Sequence, residues 1–137
     1  MGYRKILLLI SLLLIAARAA APGLQVLFIM ASKPIDGYER LVNAVILVES
    51  SGDTLAYNET EKAFGAFQIR PIRLLDYNQR TGKNYKNKDC FNLKISKEIF
   101  LFYAKRISFC DYQSIACSWN GSGKETLEYW EKVKSHL

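Results

Sequence analysis

Histidine is almost missing from this sequence. The only one, His136, stands next to the last of 137 residues. A zinc site built from the usual nitrogen and sulfur ligands therefore has little to draw on. A cysteine–histidine nucleophilic pair would have to form in a fraying terminus. There are three cysteines, Cys90, Cys110 and Cys117, and none lies in a C-x-x-C pair. One disulfide with a thiol left over and three small buried side chains both remain open. No basic stripe interleaved with aromatics occurs, so no nucleic-acid partner is expected. Internal repeats and low-complexity tracts are absent, and nothing suggests a metal or an organic cofactor. What is present suffices for one domain: half the residues are apolar and 12% are aromatic, enough for a core.

The first residues follow other rules. "MGYRK" is basic, "ILLLISLLLIAA" carries no charge, and "ARAAAPG" supplies small residues at A-x-A spacing. This three-part pattern is that of a secretory signal peptide over residues 1–21, cleaved after Ala19 or Ala21. The apolar run is shorter than the roughly twenty residues that span a bilayer. An uncleaved anchor is the alternative, helped by "LQVLFIM" at 24–30. No cysteine follows the run to take a lipid. Export to the periplasm or cell envelope is expected. Removal of Arg4, Lys5 and Arg18 lowers the net charge from +6 to +3, a mild excess that suits a polyanionic or wall-like surface.

Residues 22–36 read as a linker and 37–137 as the domain. Asp36, with Glu39 three residues on, forms a capping box for a helix over about 37–49. Leu41, Val45 and Val48 recur at helical steps, and Glu49 shares their face. Residues 50–63 are polar and read as a loop, and "AFGAFQI" follows at 63–69. Pro71 suits the first turn of a helix that ends near Arg80, with Gly82 as its stop. After a loop over 83–95, Ser96 is the expected cap of a helix with Ile99, Phe102, Tyr103 and Arg106 on one face. Asp111 caps a short helix through Ser118, and "WNGSG" breaks it. Ser122 and Glu125 make a second capping box before a last helix carrying Leu127, Trp130 and Val133. The expectation is a mainly α domain of five short helices and long polar loops.

One stretch asks for chemistry. In "AVILVESSGD", residues 44–53, an apolar run meets Glu49 without a break. A carboxyl with apolar neighbours is poorly solvated, so its pKa rises. A glutamic acid still protonated near neutral pH can donate to the leaving oxygen of a sugar linkage. An isolated glutamate at a helix end simply points to water, but this one has company. Nineteen residues on comes Gln68 in "GAFQI", and later "SWNGSG".

Glu49-Ser50, Gly65-Ala66-Phe67-Gln68-Ile69 and Ser118-Trp119-Asn120-Gly121-Ser122 together resemble the SLT-type lytic transglycosylases of the lysozyme-like superfamily. That family carries a Glu-Ser at a helix end, then a G-L-M-Q-I-like segment, then an A-Y-N-x-G-like segment. The resemblance spans about 38–135. It implies a small α+β lysozyme-like fold with a substrate cleft and Glu49 as the single catalytic acid/base. Gln68 would hold the sugar, Gly65 would let backbone approach it, and Ser50, Ser51, Phe67 and Asn120 would complete the substrate-binding set. Trp119 departs from the family's tyrosine, whose hydroxyl reaches the glutamate. Its indole would donate to the acid, stack under a sugar, or pack in the core.

The implied substrate is peptidoglycan, cut between N-acetylmuramic acid and N-acetylglucosamine, and the implied product is a 1,6-anhydro end. A monomer is expected, serving a secretion or conjugation assembly, wall recycling or a phage. Asp53, Glu59, Glu61 and Asp76 sit in polar or surface contexts and read as solvated charges, which disfavours a two-carboxylate hydrolysing lysozyme. A non-catalytic glycan-binding module and an anchored structural protein are the rivals of other classes. The sequons at Asn58 and Asn120 read as chance.

Overall fold

Pro71 and Gly82 bracket a helix as their backbone preferences dictate. Proline occupies the first turn, where its missing N–H costs nothing. Glycine takes the left-handed position after the last turn, at φ 71°. The structure, a computed structural model, describes residues 37–107, 109 and 111–137. The expected signal segment (1–21), the linker (22–36), the Asp36 cap and Cys110 lie outside the described residues. Among those described, the chain is mainly helical. It runs α1 (Glu39–Ser50), β1 (Tyr57–Asn58), β2 (Ala63–Phe64), α2 (Pro71–Thr81), a 3-10 helix (Asn87–Phe91), α3 (Leu93–Ala104), α4 (Tyr112–Asn120) and α5 (Glu125–Lys134). None of the helices described is long and apolar enough to cross a membrane.

The stretch 50–63, expected to be loop throughout, contains one arm of a small antiparallel hairpin. Tyr57 pairs with Phe64, and Asn58 with Ala63. The hairpin continues into a tight turn: Phe64 and Ile69 exchange backbone hydrogen bonds, and Gln68 N–H donates to the Gly65 carbonyl. Gly65 adopts φ 75°, and a Cβ there would stand 2.0 Å from the Cys90 carbonyl oxygen. The turn is thus pressed against the 3-10 helix, which only glycine permits. Phe67, at its tip, is fully buried and stacks on Phe100 at 4.9 Å. Trp119 meets both rings edge-on. This aromatic trio ties the hairpin turn, α3 and α4 into one core.

Several caps differ from the sequence reading. Asn92, not Ser96, caps α3: its side-chain oxygen accepts from Lys94 N–H at 3.0 Å and Ile95 N–H at 3.3 Å. Ser96 lies buried one turn inside, its hydroxyl spent on the carbonyls of Asn92 and Leu93. The buried face of α3 is Ser96, Ile99, Phe100 and Ala104, with Phe102 and Tyr103 at its margin and Arg106 exposed beyond the helix. Asp111 caps α4 as expected, accepting from Ser114 N–H at 3.0 Å. The Ser122–Glu125 capping box does not form, because Gly121 and Gly123 turn the chain and Lys124 precedes α5. The inward face of α5 is Tyr129 and Val133, whereas Leu127 is 63% exposed.

Gly65→Ala combines backbone strain with a carbonyl clash. It is expected to destabilise the domain by roughly 2–6 kcal/mol, read as a lower denaturant midpoint in equilibrium unfolding.

Candidate functional site

Helix α1 ends under tension between its apolar face and its last polar residues. Leu41, Val42, Ala44 and Val45 are buried, and the helix stops only when Ser51 turns left-handed at φ 54°. Just before that stop, the Ser50 hydroxyl lies 3.1 Å from its own helix's Ile46 carbonyl and 3.0 Å from the Ala66 carbonyl, donating to that pair. This bond fastens the helix end to the hairpin turn. Glu49 is thereby held at the wall of a cleft of about 480 Å³, where Gln68, Trp119 and Asn120 also lie.

The carboxyl of Glu49 is largely removed from water. Burial is the main cause that raises its pKa from 4.5 to about 7. The Tyr129 hydroxyl donates to Oε1 at 2.7 Å and pulls the value back down. The charge of Glu61 pushes it up, while Arg70 and Arg73 pull it down. Tyr129 itself is held well above the usual phenol range, first by burial and then by the charge of Glu49. Near neutral pH this carboxyl exists in both protonation states, so one group can give a proton and take one back.

Four of the eight sequence candidates therefore share the cleft. Gln68 sits at φ 49°, and its amide nitrogen donates to the Gly65 carbonyl at 3.0 Å and the Ala56 carbonyl at 3.4 Å. Its side-chain oxygen accepts nothing among the described residues. Asn120 ends α4 at the cleft wall with its side chain unengaged among the described residues. Four do not line the cleft. Ser50 is the fastener just described, and Ser51 is the exposed helix cap. Phe67 is core, and Gly65 is buried against Cys90, so the close approach it permits is between two pieces of backbone rather than to a sugar.

Trp119 corrects the expectation of an indole hydrogen bond to the acid. Its Nε1–H donates to the Phe67 carbonyl at 3.2 Å. Its ring is covered by the Arg73 guanidinium, 4.1 Å from the centroid, so no broad face remains for a sugar. The contact to the carboxyl comes instead from Tyr129, ten residues later on α5. The available signal was the four-residue step from Tyr129 to Val133, which Leu127 masked because it is the more apolar residue.

Arg73 was also missed. It lies in the first turn of α2, donates to the Trp119 carbonyl at 3.0 Å and approaches the Tyr103 ring at 5.2 Å. Burial weakens its hold on its proton relative to a free guanidinium. Glu61, read from sequence as solvated charge, lines the same cleft but is half exposed and pairs with Arg70 at 3.2 Å. Asp53 instead caps its own loop by accepting from Leu55 N–H, and Asp76 pairs with Arg80 on the α2 surface. Among the described residues Cys90 and Cys117 are free thiols. Burial pushes Cys90 up to about 12, an inert state.

The sign of the Glu49 shift fixes a stability trend. Between 4.5 and about 7 the folded protein keeps a proton that the unfolded chain releases. Stability contributed by this group therefore falls as pH rises through that window and is level above it. Against Glu49→Gln, wild type should lose on the order of 3 kcal/mol across the window, read by denaturant unfolding at a series of pH values. Tyr129→Phe removes the donor that favours the ionised carboxyl and should move the upper end of the window to higher pH. In comparisons with known proteins, the chain matches no protein-family model, no curated protein and no solved structure.

Proposed function

We propose that this chain is a lysozyme-like enzyme that cleaves the glycan strands of peptidoglycan with Glu49 as its acid/base, in the manner of a lytic transglycosylase. One observation carries the reading: a carboxylic acid raised to about 7 stands at the wall of a polar cleft beside the side-chain oxygen of Gln68 and the Asn120 amide, both unengaged among the described residues. Such an acid is suited to protonate the oxygen between N-acetylmuramic acid and N-acetylglucosamine. As that bond breaks, positive charge develops at the muramic C1. Glu49, now a carboxylate, faces that charge and is steadied by the Tyr129 hydroxyl and by Arg73. It then removes the proton from the same sugar's C6 hydroxyl, whose oxygen closes on C1. The proton returns to Glu49, and no water is consumed. Gln68, anchored through its nitrogen, presents an acceptor oxygen to a sugar N–H or O–H, and Asn120 offers both kinds of partner.

Export to the cell envelope belongs to the same proposal, since the substrate lies there and the N-terminal sequence has the form of a signal peptide. A second reading is favoured by Glu61. Its presence in the cleft gives a hydrolysing enzyme a second carboxylate to activate water. Its ion pair with Arg70 and its half-exposed position argue for a structural charge.

Purified peptidoglycan digested with the protein should yield muropeptides one water lighter than hydrolytic products, read by mass spectrometry. Glu49→Gln should lower turnover by roughly 10²–10⁴-fold, whereas Glu61→Gln should retain most activity. Hydrated products lost on Glu61→Gln would move the assignment to a hydrolase.

A further inference from the structure

Positive charge in the cleft exceeds what the protein neutralises. Arg70 at the rim is paired with Glu61. Arg73 and Lys132 also line the cleft, and among the described residues neither has a carboxylate within ion-pair distance. Glu49, protonated for much of the time near neutral pH, is an incomplete counter-charge. Arg73 is half-buried, and a cation so placed without an ion pair has lost hydration that no carboxylate replaces, so an anion entering the cleft is favoured.

Arg73 is also fixed in place. One nitrogen donates to the Trp119 carbonyl at 3.0 Å, and the guanidinium lies against the Trp119 and Tyr103 rings. The remaining N–H groups keep the planar fork that matches a carboxylate. Lys132, in the last turn of α5, brings an exposed ammonium to the same cleft. A second hollow of about 630 Å³ shares Glu61, Arg70 and Asn120 with the first, so there is room for a substituent beyond the sugar ring.

We propose that Arg73 and Lys132 form a carboxylate-binding subsite, by which the cleft selects glycan strands that carry a pendant carboxylate over neutral ones. This rests on the glycan-cleaving reading and names the substrate class within it. Two sources supply that chemistry. One is the free lactyl carboxylate of a peptide-free strand, and the other is a carboxylate of an attached peptide.

The test is calorimetric binding to the full chain carrying Glu49→Gln, which keeps the ligands intact. Four oligosaccharides of equal length are compared: a peptide-free strand with free lactyl carboxylates, the same strand amidated, a peptide-bearing strand, and a neutral N-acetylglucosamine oligomer. At least one carboxylate-bearing strand should bind roughly ten- to hundredfold more tightly than the amidated strand, and which one does so identifies the source. The gap should narrow with added salt and should collapse on Lys132→Gln, with neutral-oligomer binding kept, and also on Arg73→Gln. Lys132 is exposed, so its variant leaves the fold intact if Arg73→Gln does not. Equal binding of charged and neutral strands would overturn the subsite alone. Binding of none of the four would overturn the glycan reading and the subsite with it.

Discussion

Withdrawal of one carboxyl from water at the end of α1 is the constraint on which the rest of the site depends. Left in water, Glu49 would ionise well below neutral pH and hold no proton to give. Buried with no partner, it would be a plain cost to the fold. The Tyr129 hydroxyl sets the balance, because it favours the ionised form that burial disfavours. Their opposition leaves the two protonation states close in energy near pH 7, as the proposed role of acid and then base requires. The contact spans 80 residues of sequence, so it also fixes α5 against α1. Arg40 supports the same docking by donating to the carbonyl of Leu137 at the chain's end.

The hairpin turn is the second fixed body. Gly65 lets it approach the 3-10 helix, Phe67 drives its tip into the aromatic core, and the Ser50 hydroxyl binds it to the end of α1. Gln68 follows at the turn's left-handed corner and is thereby aimed at the cleft wall. Residues that never touch the cleft thus position those that do. The resemblance to a known motif mixes these two kinds of residue, since both would be kept together by the same turn. Arg73 links the halves: it covers Trp119, holds its carbonyl and still faces the cleft.

Much of this was legible in the sequence because it follows from local chemistry. The apolar steps of α1, the proline and glycine that bound α2, and the Asp111 cap of α4 all formed as read. Glu49, Gln68 and Asn120 meet at one cleft although they are far apart in the chain. The failures are tertiary. Asn92 outcompeted Ser96 as a cap because burial took the serine hydroxyl inside the helix. Leu127 turned outward because docking on α1 selected the face holding Tyr129. Trp119 spent its N–H on the Phe67 carbonyl, a bond that sequence spacing cannot foresee. The hairpin was missed because two-residue strands carry no period.

Titration of the Glu49 side-chain carbonyl carbon by NMR tests the central claim most directly, with the resonance assigned by its loss in Glu49→Gln. A midpoint near 7 is the predicted result. A midpoint near the ordinary 4.5 would mean that water reaches the carboxyl freely, and the account of Glu49 as the proton donor would be contradicted.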